Sequence, residues 1–194
     1  VATPHYDHVP VGIASLQAGK HTLVEKPIAV HKADAQKLAA AHTDKSLVFA
    51  AMFNQRTDPK YRWLKDEISR GGLGKITRIT WIMTNWFRTE TYYRNGSWRA
   101  TWSGEGGGVL LNQCPHQLDL WQWLFGMPDR VTSISRLGHY HNIEVEDDVT
   151  AILDYKDGPI GTFITTTGEA PGTNRLEVAA DRARVIVEGN RIEI

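Results

Sequence analysis

Three consecutive glycines, Gly106-Gly107-Gly108, lead through Val109-Leu110-Leu111-Asn112-Gln113-Cys114 into Pro115-His116. No other stretch constrains the fold as much. Glycine lets a backbone turn sharply, or approach another group where a Cβ would collide. Proline suits the first position of a helix, whose N–H lacks an intrahelical acceptor in any case. The stretch therefore predicts a glycine-lined turn feeding a helix from Pro115 to about Phe125, stopped by Gly126 and Pro128. His116 falls in the first helical turn, where the positive end of the helix dipole disfavours imidazolium. A neutral imidazole beside a glycine-lined space can take a proton from a substrate. Without further context, such a histidine reads first as a capping or core ring.

Upstream, strand and helix patterns alternate. Val1–His5 reads as a strand end entering a loop. Residues 6–19 carry a helical stripe of Val9, Ile13 and Leu16, residues 21–25 are β-rich, 31–42 form an Ala-rich helix, and 47–53 form a second strand. This order implies parallel βαβ units with right-handed crossovers. Lys26-Pro27 directly follows Glu25. A residue before proline is held extended, so Lys26 is presented at the carboxyl end of its strand, where parallel sheets receive ligands. An amine there can hydrogen-bond a hydroxyl and favour the alkoxide as hydride leaves the same carbon. A lone lysine taken out of this setting is a surface residue.

The pattern changes after Phe53. A helix with an aromatic face (Tyr61, Trp63, Leu64, Ile68) starts at Asp58-Pro59, and a long strand covers 76–86. The loop 87–105, rich in Trp, Arg, Tyr and Gly, is too long for a passive connection. Strands follow at 131–137, 149–155, 160–167, 175–180 and 183–188, with Asp157-Gly158 as a hairpin turn. The expected fold class is α/β plus α+β: residues 1–53 end a parallel domain, and residues 54–194 form an antiparallel meander with helices. Phe163, Thr165 and Thr167 alternate with Thr162, Ile164 and Thr166. One face is expected to pack on helices and the other to meet a second copy, giving a homo-oligomer through the antiparallel sheet.

Composition narrows the classes of function. The 194 residues carry a formal net charge of zero, which offers nothing to a phosphate backbone, so no nucleic-acid partner is expected. No apolar run approaches a membrane span and no signal peptide is visible. One cysteine excludes an internal disulfide framework and suits a reducing cytoplasm. The start at Val1-Ala2-Thr3-Pro4 and the strand-like end, Arg184–Ile194, read as cuts through something larger.

Other side chains carry competing readings. Asn112 cannot act as a base, but it can orient His116 or bind a substrate hydroxyl. Asp119, three residues beyond His116, can orient the imidazole or stand in solvent. Cys114 could pair with His116 as a nucleophile, although a small buried hydrophobe is the expected role. Trp86, Tyr92, Tyr93, Trp98, Arg99 and Trp102 read as core or as the wall of a sugar pocket. His139 and His141 share a strand face, but no third ligand has a sensible spacing, so a solvated edge and no metal are expected.

Together, Ala2-Thr3-Pro4, Ala18-Gly19-Lys20-His21-Thr22-Leu23-Val24-Glu25-Lys26-Pro27, Asn54-Gln55-Arg56 and Gly106–Asp119 resemble the glucose–fructose oxidoreductase, inositol dehydrogenase and MocA (Gfo/Idh/MocA) family of NAD(P)-dependent oxidoreductases. The resemblance spans nearly the whole chain. It implies the C-terminal part of a Rossmann domain, followed by an open, mainly antiparallel sheet domain with helices on one face. It implies NAD or NADP as cofactor and a sugar, cyclitol or related polyol as substrate. Lys26 and His116 match the family's catalytic pair, with Asn112 beside them. Thr3, Pro4 and His5, with Glu25, Lys26 and Pro27, match the part against the nicotinamide half of the cofactor. Asn54 and Arg56 match the crossing between domains near the site, and Trp98 and Arg99 match a stretch reaching the nicotinamide end.

There are two departures. Asn112 stands where many members have Asp, and no Gly-rich first βα turn occurs in this sequence. The chain as given is therefore expected to bind a dinucleotide weakly or not at all, the full-length parent being the enzyme. A non-catalytic sugar-sensing or assembly module, and an NAD-dependent glycosidase that oxidises and re-reduces its sugar in each cleavage, are the alternative readings.

Overall fold

A computed structural model describes residues 1–96 and 98–194; Ser97, inside the loop expected at 87–105, lies outside the described residues. The chain opens with a 3₁₀ turn, His5–Asp7, that runs into α1 (His8–Gln17). Strands β1 (Thr22–Val24) and β2 (Phe49–Ala51) pair in parallel, with α2 (Lys32–Ala41) in the crossover between them. Both strands are shorter than the expected 21–25 and 47–53, because only three residues of each meet a partner. Val9, Leu16, Val24, Ala29 and Leu38 form the small core of this layer. Gly12 lets α1 and α2 approach closely: a Cβ there would lie 2.9 Å from Leu38 Cδ1.

A 3₁₀ turn, Asn54–Thr57, then leads to α3 (Pro59–Ser69), capped by the Asp58 carboxylate, which accepts from the Lys60 amide at 3.0 Å. Strand β3 (Ile76–Met83) follows, three residues shorter than expected. The expected loop 87–105 contains a short helix, α4 (Glu90–Arg94), capped by Thr89. A π-helical turn, Val109–Gln113, precedes α5 (Pro115–Phe125), which has the bounds the sequence predicts, with Pro115 in its first turn. The remaining strands are β4 (Arg130–Leu137), β5 (Glu146–Asp154), β6 (Ile160–Thr166), β7 (Asn174–Ala180), β8 (Arg184–Glu188) and β9 (Arg191–Glu193).

These strands form one seven-stranded sheet of order β4-β5-β6-β3-β7-β8-β9. The meander is thus interrupted. Strand β3 inserts between β6 and β7, parallel to β6 and antiparallel to β7, so the sheet is mixed. A parallel pair needs a long crossover, and here the connection from β3 to β6 carries α5 across one face. Trp81 of β3 stands opposite both Phe163 and Leu176. Period-2 alternation turns Ile79, Trp81, Met83, Phe163, Leu176, Val178, Val185 and Val187 toward Tyr61 and Leu64 of α3 and Leu120, Trp121 and Leu124 of α5. Trp81 and Trp121 stack at 6.4 Å, each indole N–H being satisfied, by Asn174 Oδ1 at 3.1 Å and the Tyr155 hydroxyl at 2.8 Å. Gly161 is required under this stack, since a Cβ there would enter the Trp121 ring. The opposite face carries Thr150, Ile152, Thr162, Ile164, Thr80 and Ile82 and no helix among the described residues, and Ile134 and Ile152 remain 70% and 47% exposed.

The parallel layer and the sheet meet along the glycine run. Gly106 has φ +84°, and its missing Cβ leaves the space taken by the Val30 side chain. The Tyr6 hydroxyl donates to the Trp102 carbonyl at 2.9 Å across the same seam.

Candidate active site

Glu25-Lys26-Pro27 turns over the carboxyl end of β1, and the Lys26–Pro27 peptide is cis. The buried His8 ring, on α1, spans the Pro27 and Thr3 carbonyls at 2.7 and 2.9 Å and fixes the two loops against each other. From this edge the Lys26 amine crosses to the sheet domain and donates to the Asn112 carbonyl at 2.7 Å.

Asn112 sits in the π-helical turn, closed by a Cys114 N–H to Val109 carbonyl bond of 2.9 Å. Such turns place one extra residue in a helical path and re-aim the side chains that follow. Glu146 holds the turn from below: its buried carboxylate accepts the Gly108 and Leu110 amides at 2.9 and 3.1 Å. Gly108 lies so close to the Glu146 carbonyl that no Cβ fits. The side-chain amide of Asn112 donates to Glu105, whose second oxygen accepts the Ala100 amide at 2.7 Å. Glu105 is 2% exposed, and its own carbonyl accepts from His5 Nδ1 at 2.9 Å. Trp98 meets the His5 ring edge-on at 5.5 Å. Lys26, Asn112, Glu105 and His5 are therefore linked in one chain of hydrogen bonds.

His116 opens α5 one turn beyond Asn112. Its ring meets Phe53, just past β2, edge-on at 6.0 Å, and its Nδ1 is buried without a partner. Burial first, and the Lys26 charge second, push the His116 pKa below its usual value, with Asp119 and Glu25 opposing. The imidazole is thus biased toward neutral, as the sequence predicts, but burial and an amine account for it. Burial likewise lowers Lys26, against the pull of Glu25 and Glu105. It raises Glu105 and lowers His5.

Other expectations need correction. Asp119 does not orient the imidazole; its carboxylate grips Arg56 through two bonds of 2.7 and 2.6 Å. That pairing, with the Arg56 guanidinium 5.7 Å over the Trp123 ring, also engages Arg56 itself. Asn54 stands exposed beside it in the 3₁₀ turn, as do Thr3 and Pro4 at the other edge. The Cys114 thiol is buried against Thr165 Oγ1 at 3.0 Å and pushed up to about 12 by burial, so it is a packed thiol and no nucleophile. Arg99 donates to the Tyr92 hydroxyl at 2.8 Å, and Tyr93 donates to Thr167 Oγ1 at 2.9 Å. Trp102 is 48% exposed and lies outward. His139 is exposed, but His141 is not on a solvated edge: it is buried, with Nδ1 2.9 Å from the Asp147 carboxylate. No cluster of three His, Cys, Asp or Glu side chains able to hold a metal occurs among the described residues.

Glu105 and Glu146 escaped the sequence reading. The one available signal is Ser103-Gly104-Glu105-Gly106, a carboxylate inside a glycine run that leaves it little room to reach solvent. For Glu146 nothing local distinguishes it from the neighbouring Asp147 and Asp148.

The arrangement can bind a hydroxyl between an amine and a base. It also fits the nicotinamide end of a dinucleotide: the carboxyl ends of two parallel strands face this space, and His116 Nδ1 is buried and unpaired. The fold is a Rossmann-type, NAD-binding part joined to a mixed-sheet domain with helices. Residues 1–53 match the family model described as oxidoreductase family, NAD-binding Rossmann fold, and residues 61–186 match the GFO/IDH/MocA C-terminal domain. The chain belongs to the GFO/IDH/MocA family.

Levoglucosan dehydrogenase of Pseudarthrobacter phenanthrenivorans is 27% identical over 90% of this chain and 50% of its own length. The NADP-dependent scyllo-inositol 2-dehydrogenase of Bacillus subtilis is 32% identical over 80% of this chain and 42% of its own. The WlbA dehydrogenase of Bordetella pertussis, solved with NADH and UDP-GlcNAcA, superposes with a TM-score of 0.92 at 28% identity, over all of this chain and 57% of that one. The chain spans about half the length of the curated relatives it matches. No helix among the described residues is long and apolar enough to cross a membrane.

Proposed function

We propose that the whole protein is an NAD(P)-dependent dehydrogenase of a secondary alcohol on a sugar, cyclitol or related polyol, working in either direction. The observation that carries this reading is the Lys26 amine fixed 2.7 Å from the Asn112 carbonyl, one turn from the His116 imidazole, whose Nδ1 is buried without a partner. When bound, the nicotinamide supplies the hydride acceptor or donor. His116 takes the hydroxyl proton, its neutral form being favoured by burial. Lys26 donates to the same oxygen and stabilises the charge that develops there. Asn112 holds Lys26 through its carbonyl and is itself held by Glu105. Thr3, Pro4, His5, Glu25, Lys26, Pro27, Asn54, Arg56, Trp98 and Arg99 would line the nicotinamide end. Residues 1–53 are read as the C-terminal part of the dinucleotide-binding domain and 54–194 as the substrate and oligomerisation domain.

The dehydrogenase relatives support this reading, and a cytoplasmic setting fits the single buried cysteine. The exposed Ile134, Ile152 and Ile160 on the helix-free sheet face support a homo-oligomer formed sheet to sheet. Light scattering that gives a monomer at micromolar concentration would count against it.

The functional test is a panel of sugars and cyclitols offered to the full-length protein with NAD or NADP. Reduced nicotinamide should appear with at least one substrate. Sugar binding without hydride transfer selects the sensing module instead. Release of an aglycone without net NADH selects the glycosidase.

A further inference from the structure

Beyond β3 the chain passes through Trp86 and Phe87 to Arg88, a residue with no role so far. Its backbone is clamped on both sides. The Arg88 amide donates to the Thr167 carbonyl at 3.0 Å, and the Arg88 carbonyl accepts from His141 Nε2 at 2.8 Å. His141 is in turn fixed by Asp147, fully buried, whose carboxylate also accepts the amides of His139, Tyr140 and His141 at 2.8, 2.8 and 3.0 Å.

The side chain is held as firmly. Its guanidinium carbon lies 5.8 Å from the Trp86 ring centre and 5.0 Å from that of Tyr92. Yet it pairs with no carboxylate among the described residues. Its side-chain bond is from Nη1 to the adjacent Phe87 carbonyl, at 3.1 Å. The Nε atom is buried without a partner, and so is Trp86 Nε1 beside it. A desolvated cationic donor with no acceptor is unfavourable, and an arriving anion removes the penalty. The Nε–Nη2 edge is the one left without a partner among the described residues, and its fork matches two oxygens of a carboxylate or phosphoryl group. Arg88 stands at the same end of the sheet as the catalytic turn: its amide is held by Thr167, two residues beyond Thr165, whose hydroxyl meets the Cys114 thiol between Asn112 and His116.

We infer that Arg88 recognises an anionic oxygen group on the substrate, so that the sugar or polyol presented to Lys26 and His116 carries a carboxylate or a phosphoryl group. This rests on the dehydrogenase reading for the reacting carbon, but not for the anion contact itself. Trp86 adds its indole N–H beside the guanidinium. The Asp147–His141 pair is then a positioning device for Arg88.

The test is to titrate the full-length protein, by tryptophan fluorescence and by turnover, with a hexuronate, a hexose phosphate and the parent neutral hexose. One anion should bind about 10- to 100-fold tighter than the neutral sugar, the step given by hydrogen bonds to a charged group. Its identity separates carboxylate from phosphoryl recognition. Arg88→Gln should raise KM for that anion by a similar factor, leaving kcat and neutral-sugar affinity nearly unchanged. Arg88→Lys, which keeps the charge and loses the fork, should fall between. Equal binding of all three sugars overturns the proposal, as does an Arg88→Lys variant indistinguishable from wild type. Anion binding through Arg88 without hydride transfer supports it while overturning the dehydrogenase reading.

Discussion

The parallel layer and the sheet domain each bring one nitrogen to the site, but they hold it differently. His116 rests on a deep core: α5 packs its Leu120, Trp121 and Leu124 onto Trp81 and Phe163. Lys26 rests on a layer with two short strands and a core of Val9, Leu16, Val24, Ala29 and Leu38. Its amine is fixed from the other side of the seam, by the Asn112 carbonyl, while His5 reaches the Glu105 carbonyl in parallel. The geometry of the pair therefore belongs to the seam, where Gly106 makes room for Val30.

The largest effect should come from the site itself. In the full-length protein His116→Ala is expected to lower kcat by about 10²–10⁴-fold, the range for a general base, and Lys26→Ala by a comparable factor for lost oxyanion stabilisation. Steady-state kinetics on an accepted sugar check both. A large loss at His116 with none at Lys26 would leave only one region contributing chemistry and break the comparison.

Next come the two cores. Trp81→Ala should cost about 3–5 kcal/mol, and Leu38→Ala about 2–5 kcal/mol. The comparison is sharpened by where the loss appears. Hydrogen exchange should show Leu38→Ala opening residues 1–53 alone, and Trp81→Ala opening the sheet. If Leu38→Ala exposes the sheet amides equally, the two regions are one cooperative unit.

Gly106→Val is expected to act on the seam, at about 1–3 kcal/mol for overpacking against Val30, with strain added by φ +84°. Activity should fall while sheet amides keep their protection. Unchanged kcat in this variant would mean that Lys26 is aimed by its own layer.

Much of this was legible in the chain. Pro115 in the first turn of α5, the division of Phe163 and Thr165 from Thr162 and Ile164 onto two faces, and Lys26 at the end of β1 follow from local rules of proline geometry and alternation. What escaped is non-local. The parallel pairing of β3 with β6 depends on a crossover that no window of sequence contains. The role of Asp119 was misread because its partner Arg56 lies 63 positions away. Glu105 and Glu146 are ordinary carboxylates until the backbone amides they accept from are folded around them. His141 looked like a strand-face histidine because Asp147, which buries it, belongs to the next strand.

The smallest effect is the most direct probe of the seam, because it measures one region's charge at the other's ring. His116 must be neutral to take a proton, so kcat/KM should rise with pH through the His116 pKa. Burial and the Lys26 charge put that acid limb below the usual 6.5. For stability the sign follows from proton counting. Between the lowered folded value and the unfolded one near 6.5, the unfolded chain binds more protons at His116. Stability therefore rises with pH through that window, falls as the solution is acidified through it and levels off below the folded value, with His5, also lowered by burial, adding in the same sense. Lys26→Met removes a charge while keeping length and bulk, so the His116 pKa should move upward, though burial still holds it down. Imidazole proton resonances followed across the titration read this without needing turnover. A His116 pKa that ignores the loss of Lys26 would mean that the two nitrogens do not share a space, and the site would then belong to the sheet domain alone.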